Sequence, residues 1–139
     1  MIKRNATTLW KGSGKEGKGN VSVESGIFTE APMAYGTRFK DDVGTNPEEL
    51  IGAAHSACFS MALSFKLGEA GFTPDSIETK CIVSFEDGEV VNSHLNVSAS
   101  VEGIEKSEFE KVVSDAAANC PISMLLQCKI THDAKLSTK

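Results

Sequence analysis

One stretch of the sequence limits the fold more than any other, the run from residue 45 to residue 68. Thr45-Asn46-Pro47-Glu48-Glu49 opens it with the marks of a helix start. Thr45 or Asn46 serves as cap, Pro47 sits in the first turn, and two carboxylates face the positive end of the dipole. The run closes near Gly68, with Gly71 and Pro74 beyond it. Between these ends come Ile51-Gly52-Ala53-Ala54 and Ala57-Cys58-Phe59-Ser60-Met61-Ala62-Leu63, small or apolar on nearly every face. A helix that is apolar all round is expected to be buried on all sides. A chain of 139 residues is one ordinary domain, 1–139, and about six strands are little to wrap such a helix. A dimer that shares its core supplies the missing cover.

The remaining periodicities fill in the frame. Residues 6–10, 20–24 and 36–40 read as strands of an antiparallel meander, separated by glycine turns at Gly12, Gly14, Gly17 and Gly19. These glycines lead into another strand, not a helix, so they are turns and not a phosphate-binding loop. Residues 77–85 and 94–101 alternate around a polar loop and read as a β-hairpin. Ser107 caps a helix to about Ala118, with Glu110 in the position a capping box uses. Cys120-Pro121 opens a short helix to Gln127, and residues 128–136 alternate as a final strand. The order βββα-ββααβ lacks strand-crossover-strand regularity, which points to α+β with antiparallel sheets around a buried central helix.

Composition excludes several classes of function. Fourteen Lys and Arg against nineteen Asp and Glu give a charge of −5, and no basic cluster tracks a phosphate backbone, so nucleic acid is not expected as a partner. Lys3 and Arg4 are followed by Asn5, Thr7 and Thr8 instead of an apolar signal core, and no later stretch approaches eighteen apolar residues. The expectation is a cytoplasmic protein with no membrane partner. Thiols in a reducing compartment are more often core, metal-binding or catalytic residues than structural disulfides, and Cys58, Cys81, Cys120 and Cys128 contain no CxxC.

Two of these cysteines carry alternatives. Cys58 is either a small core hydrophobe or a nucleophile. In mid-helix it gains nothing from the start of its own helix, so a thiolate there requires a neighbouring cation, for which Arg38 is the candidate. Cys120, at the entry to the helix beginning at Pro121, faces free backbone N–H groups that favour negative sulfur. It reads as an extended, partly exposed thiol suited to condensing with a sulfenic acid, or as a capping residue with no redox role.

The run from Gly44-Thr45-Asn46-Pro47 through His55-Ser56-Ala57-Cys58-Phe59-Ser60-Met61-Ala62, then Gly68-Glu69-Ala70-Gly71-Phe72-Thr73-Pro74 and Cys120-Pro121-Ile122-Ser123, resembles the OsmC/Ohr family of osmotically inducible proteins and organic hydroperoxide reductases. The likeness is to OsmC more than to Ohr and extends from Trp10 to the last strand. It implies an intertwined α+β homodimer with its active sites at the subunit interface. It implies a peroxidatic Cys58, a resolving Cys120 and an Arg38/Glu48 pair. It also implies organic hydroperoxides as substrates and recycling by dithiols, lipoylated proteins among them. No cofactor or metal is implied, and Cys81 and Cys128 fall outside the pattern as core or strand residues.

Glu48 and Cys58 are ten residues apart, which on one straight helix is about 15 Å of rise and roughly 280° of rotation. Either the helix breaks near its start or Glu48 reaches the Cys58 of a second subunit. Phe39, Phe59, Ile122 and Met124 are candidates to receive the organic part of a substrate, or plain core residues. Trp10 and Tyr35 are core or interface aromatics. His55, three residues before Cys58, invites a Cys-His hydrolase reading, but no orienting third residue or oxyanion site is visible. A zinc site at His55 and Cys58 lacks the paired short spacings. The remaining alternative is a non-catalytic module of the same fold that binds an apolar ligand or a protein.

Overall fold

A computed structural model of the chain describes residues 1–137. They form two compact units, Met1–Leu50 and the residues from 51 onward.

In the first unit β1 (Ala6–Lys11), β2 (Lys18–Val23) and β3 (Ala31–Ala34) form an antiparallel sheet in that order. Ala6 pairs with Val23, and Val21 with Ala31. The third strand therefore lies upstream of the expected 36–40. Residues Tyr35–Phe39 are instead a one-turn helix, α1. Its cause is local. The Thr37 hydroxyl accepts from the Ala34 N–H and donates to the Ala34 carbonyl, both at 2.9 Å. Asn46 donates from its side-chain amide to the Thr37 carbonyl at 3.0 Å. Such side-chain bonds to backbone compete with a strand ladder and win here. Gly44, at φ 151°, passes so close to Pro32 and Thr37 that a Cβ would lie 2.5 Å from the Pro32 carbonyl oxygen.

The long helix α2 (Pro47–Glu69) is continuous. Asn46 is its cap, with Oδ1 accepting from the Glu49 N–H at 2.8 Å. The expectation of burial on all sides does not hold for a single chain. Gly52, His55, Phe59, Leu63 and Leu67 make one buried face, while Ala54, Ala57, Met61 and Phe65 lie exposed on the other. By length and apolar content α2 is able to cross a membrane. Its buried face, however, is packed into the protein core and carries His55.

In the second unit β4 (Pro74–Glu86) and β5 (Glu89–Val101) form the expected hairpin, closed by Asp87 and Gly88 at φ 51° and 83°. β6 (Lys129–Ser137) adds to β5 in parallel, Asn92 opposite Lys129 and Ser100 opposite Ser137. The sheet is thus mixed, not antiparallel. The intervening α3 (Lys106–Asn119) and α4 (Pro121–Leu125) form the crossover that a parallel pair requires. The order becomes βββαα-ββααβ. α3 begins two residues earlier than expected, with Glu105 as cap and no side-chain cap bond. Ser107 is inside the helix, and Glu110 pairs with Lys106 at 3.9 Å instead of closing a box. Leu95, Val97, Ala99 and Val101 of β5, at period two, meet Phe59, Leu63 and Leu67 of α2 and Phe109, Val113, Ala116 and Ala117 of α3 in one core.

Candidate active site

Cys58 lies half-buried on α2 and packs against that core, in which Cys120 is included. The two side chains lie close enough for the Cys120 thiol to push the Cys58 thiol upward, and both are free thiols. The fold brings together sulfurs that are far apart in sequence.

Cys120 stands where α3 ends and α4 begins. Pro121 holds it extended, at φ −66° and ψ 143°. Its N–H donates to the Ala116 carbonyl at 3.0 Å, closing α3, and its Sγ accepts from the Ser123 N–H at 3.4 Å, opening α4. The expectation of partial exposure fails. Cys120 is 1% exposed, because the extended turn directs its side chain into the core with Phe59, Ala116 and Ala117.

Cys58 receives help that its own helix does not give. Burial pushes its thiol above the ordinary range, a hydrogen bond from the Ile122 backbone N–H acts in the opposite direction, and Cys120 adds to the upward push. None of these influences is a cation. The first turn of α4 thus offers two successive N–H groups, Ile122 to Cys58 and Ser123 to Cys120.

Arg38 and Glu48 pair within the first unit. Arg38 Nε lies 3.1 Å from both carboxylate oxygens, and Nη2 donates to Oε1 as well. Two guanidinium nitrogens engage the one carboxylate, the strong form of such a contact. The Glu48 side chain is only 11% exposed, and the guanidinium also lies 5.3 Å from the Phe39 ring centroid. Because α2 is unbroken from Pro47, no break near its start brings Glu48 toward Cys58.

His55 is fully buried. Nδ1 lies 2.6 Å from the Ser93 hydroxyl and Nε2 2.7 Å from the Ser123 hydroxyl, so both nitrogens are engaged by serines and not by Cys58. Burial pushes its pKa below 6.5. Ser93 also approaches Cys81 Sγ at 3.1 Å, and Ser123 approaches Cys120 Sγ at 3.0 Å. Ser93 and Ser123 escaped the sequence reading. Their signal was a serine at an inward position of an otherwise apolar strand, and the last residue of Cys-Pro-x-Ser. Phe59 is buried as a core residue, while Phe39 and Met124 are exposed. Among the described residues no three His, Cys, Asp or Glu side chains gather as a metal-binding group.

Residues 39–135 match the family model of the OsmC-like proteins. The chain belongs to the OsmC-like family. It is 46% identical to the peroxiredoxin OsmC of Escherichia coli K12 over 99% of both chains. It is 30% identical to the organic hydroperoxide resistance protein OhrA of Bacillus subtilis 168 over 79% of each. An OsmC-like protein of Mycoplasma pneumoniae superposes with a TM-score of 0.75 at 12% identity over 97% of each chain, a likeness of fold.

Proposed function

We propose that this OsmC-family chain, a single domain acting as a homodimer, is a peroxidase that reduces organic hydroperoxides to alcohols. The contact between the Cys58 and Cys120 thiols at the first turn of α4 carries this reading. The Cys58 thiolate attacks the terminal peroxide oxygen, the O–O bond breaks, and the alkoxide takes a proton and leaves as alcohol. Cys58 is then a sulfenic acid. Cys120 attacks its sulfur, a disulfide forms and water leaves. An external dithiol, a lipoylated protein among the candidates, reopens the bond.

Burial opposes the Cys58 thiolate, so the reaction needs positive charge beside it. Arg38, held by Glu48, supplies that charge. Glu48 and Cys58 are about 15 Å apart along one unbroken helix, which favours a pair drawn from a second copy of the chain. The apolar face of α2, with Met61 64% and Phe65 70% exposed, supports the same assembly.

The test is mass spectrometry after one equivalent of cumene hydroperoxide. Wild type is expected to show a Cys58–Cys120 disulfide, and Cys120→Ser a trappable sulfenic acid at Cys58. Cys58→Ser is expected to consume no peroxide. Full consumption by Cys58→Ser would remove the peroxidase mechanism, and a binding module would show no consumption by any of the three.

A further inference from the structure

Beyond the two cysteines, a line of buried polar groups runs through the second unit. From Cys81 Sγ it passes to Ser93 Oγ at 3.1 Å, to His55 Nδ1 at 2.6 Å, from Nε2 to Ser123 Oγ at 2.7 Å, and to Cys120 Sγ at 3.0 Å. Four elements contribute to it, β4, β5, α2 and α4, and its last sulfur touches Cys58. Among the described residues no buried side-chain nitrogen or oxygen lacks a partner. A fully satisfied polar line through a hydrophobic core is not explained by packing, since apolar residues of the same shape would fill the space without desolvating polar atoms.

The chemistry of the line depends on its direction. A neutral imidazole has one donor and one acceptor nitrogen, and each hydroxyl donates one hydrogen. With the proton on Nδ1, His55 donates to Ser93, Ser123 donates to Nε2, and Cys120 S–H donates to Ser123. With the proton on Nε2, every bond reverses. His55 then donates to Ser123, and the Ser123 hydroxyl donates to Cys120 Sγ. The first arrangement suits a thiol at Cys120 and the second a thiolate, and neither leaves a buried group unpaired.

We propose that Ser123, oriented by His55, is the group that donates to the Cys120 sulfur as it becomes negative, and so sets the rate at which the disulfide closes. This rests on the reading of Cys120 as the resolving thiol. Cys120 gives up its proton, and its electron pair bonds to the Cys58 sulfur. The S–O bond of the sulfenic acid breaks, and the departing hydroxide joins a proton as water. The Cys120 sulfur is oxidised and the Cys58 sulfur reduced to the common disulfide level, with no further reagent. The Ser123 Oγ lies 3.0 Å from the sulfur whose charge develops, and the Ser123 N–H donates to it. His55 is a positioning residue, acting through Ser123.

The titratable groups that bear on this line are Cys58 on α2 at one end, and Cys81 on β4, with Cys128 beside it, at the other. The experiment follows them by rapid quench. Full-length reduced protein is mixed with one equivalent of cumene hydroperoxide. Sulfenic acid and disulfide are counted by mass spectrometry, with dimedone as trap, between pH 6 and pH 10. In Ser123→Ala, disulfide closure relative to Cys58 oxidation is expected to fall about 10- to 100-fold near neutral pH, the worth of one hydrogen bond to a charged group. The deficit should shrink as pH rises, because hydroxide in solution then takes the proton without the help of the Ser123 donor. His55→Gln, which leaves the Ser123 hydroxyl in place, should show a smaller loss of the same form. It carries the test if Ser123→Ala does not fold.

A ratio within about twofold of wild type in both variants would overturn the proposal, as would a deficit that is the same at every pH. Wild type that forms no disulfide at all would instead overturn the peroxidase reading beneath it.

Discussion

Replacing His55 by glutamine turns its burial into a measurable pH dependence of stability. His55 is fully buried between two serine hydroxyls, and burial holds its pKa below the ordinary 6.5. In the unfolded chain the imidazole is free to take a proton near 6.5, whereas in the folded chain it resists until lower pH. Below 6.5, therefore, the unfolded state binds more protons. By linkage, stability rises with pH across this window and is lost as pH falls through it. At one pH unit below 6.5 the loss is at most about 1.4 kcal/mol, the limit set by a ring that stays neutral in the folded protein. Glutamine keeps a donor and an acceptor but does not titrate. It is expected to be less stable than wild type at pH 7.5 by roughly 1 to 3 kcal/mol, because its amide is not shaped to span Ser93 and Ser123. Urea unfolding of both proteins at pH 7.5, 6.5 and 5.5, under reductant and at one protein concentration, measures the gap. Other titrating groups are common to both and cancel in the difference. The gap should narrow between pH 7.5 and pH 5.5, by at most about 1.4 kcal/mol. Parallel pH curves for the two proteins would refute the argument, because His55 would then hold the same proton folded and unfolded.

The other predictions concern the proposed assembly and the ion pair. Phe65 is 70% exposed, so covering it in a dimer contributes on the order of 2 kcal/mol per copy. Phe65→Glu should shift light-scattering mass from dimer toward monomer, and an unchanged mass would place the interface elsewhere. Arg38→Lys keeps the charge but not the two parallel N–H groups held by Glu48, and should slow Cys58 oxidation by about tenfold or more, as read by sulfenic acid trapping. An unaltered rate would remove the paired geometry from the mechanism.

Much of this was legible in the residues, and the losses have physical causes. The Asn46 cap, the proline in the first turn and the β4–β5 hairpin depend on neighbours a few positions apart, so local pattern was enough. The direction of β6 was not, because a parallel strand is set by where the α3–α4 crossover returns the chain. Residues 36–40 misled for a related reason. Their composition suits a strand, yet Thr37 bonded to Ala34 and Asn46 bonded to Thr37 close a helical turn. At the site, Cys58 and Cys120 were visible as reactive residue types in marked positions. Ser93 and Ser123 were not, since a serine shows its importance only when the imidazole between them is seen to be buried. The all-round apolar character of α2 led to an expectation of burial on all sides, which a single chain meets on one face only.

Cys120 closes one helix and begins the next, so the choice of replacement decides what a mutant reports. Serine is among the residues best suited to start a helix, and it keeps an acceptor for the Ser123 N–H while abolishing sulfur chemistry. Alanine would remove both at once. A slow or unstable alanine mutant would therefore confound a lost thiol with a frayed α4, and the serine exchange is the one that isolates the reaction.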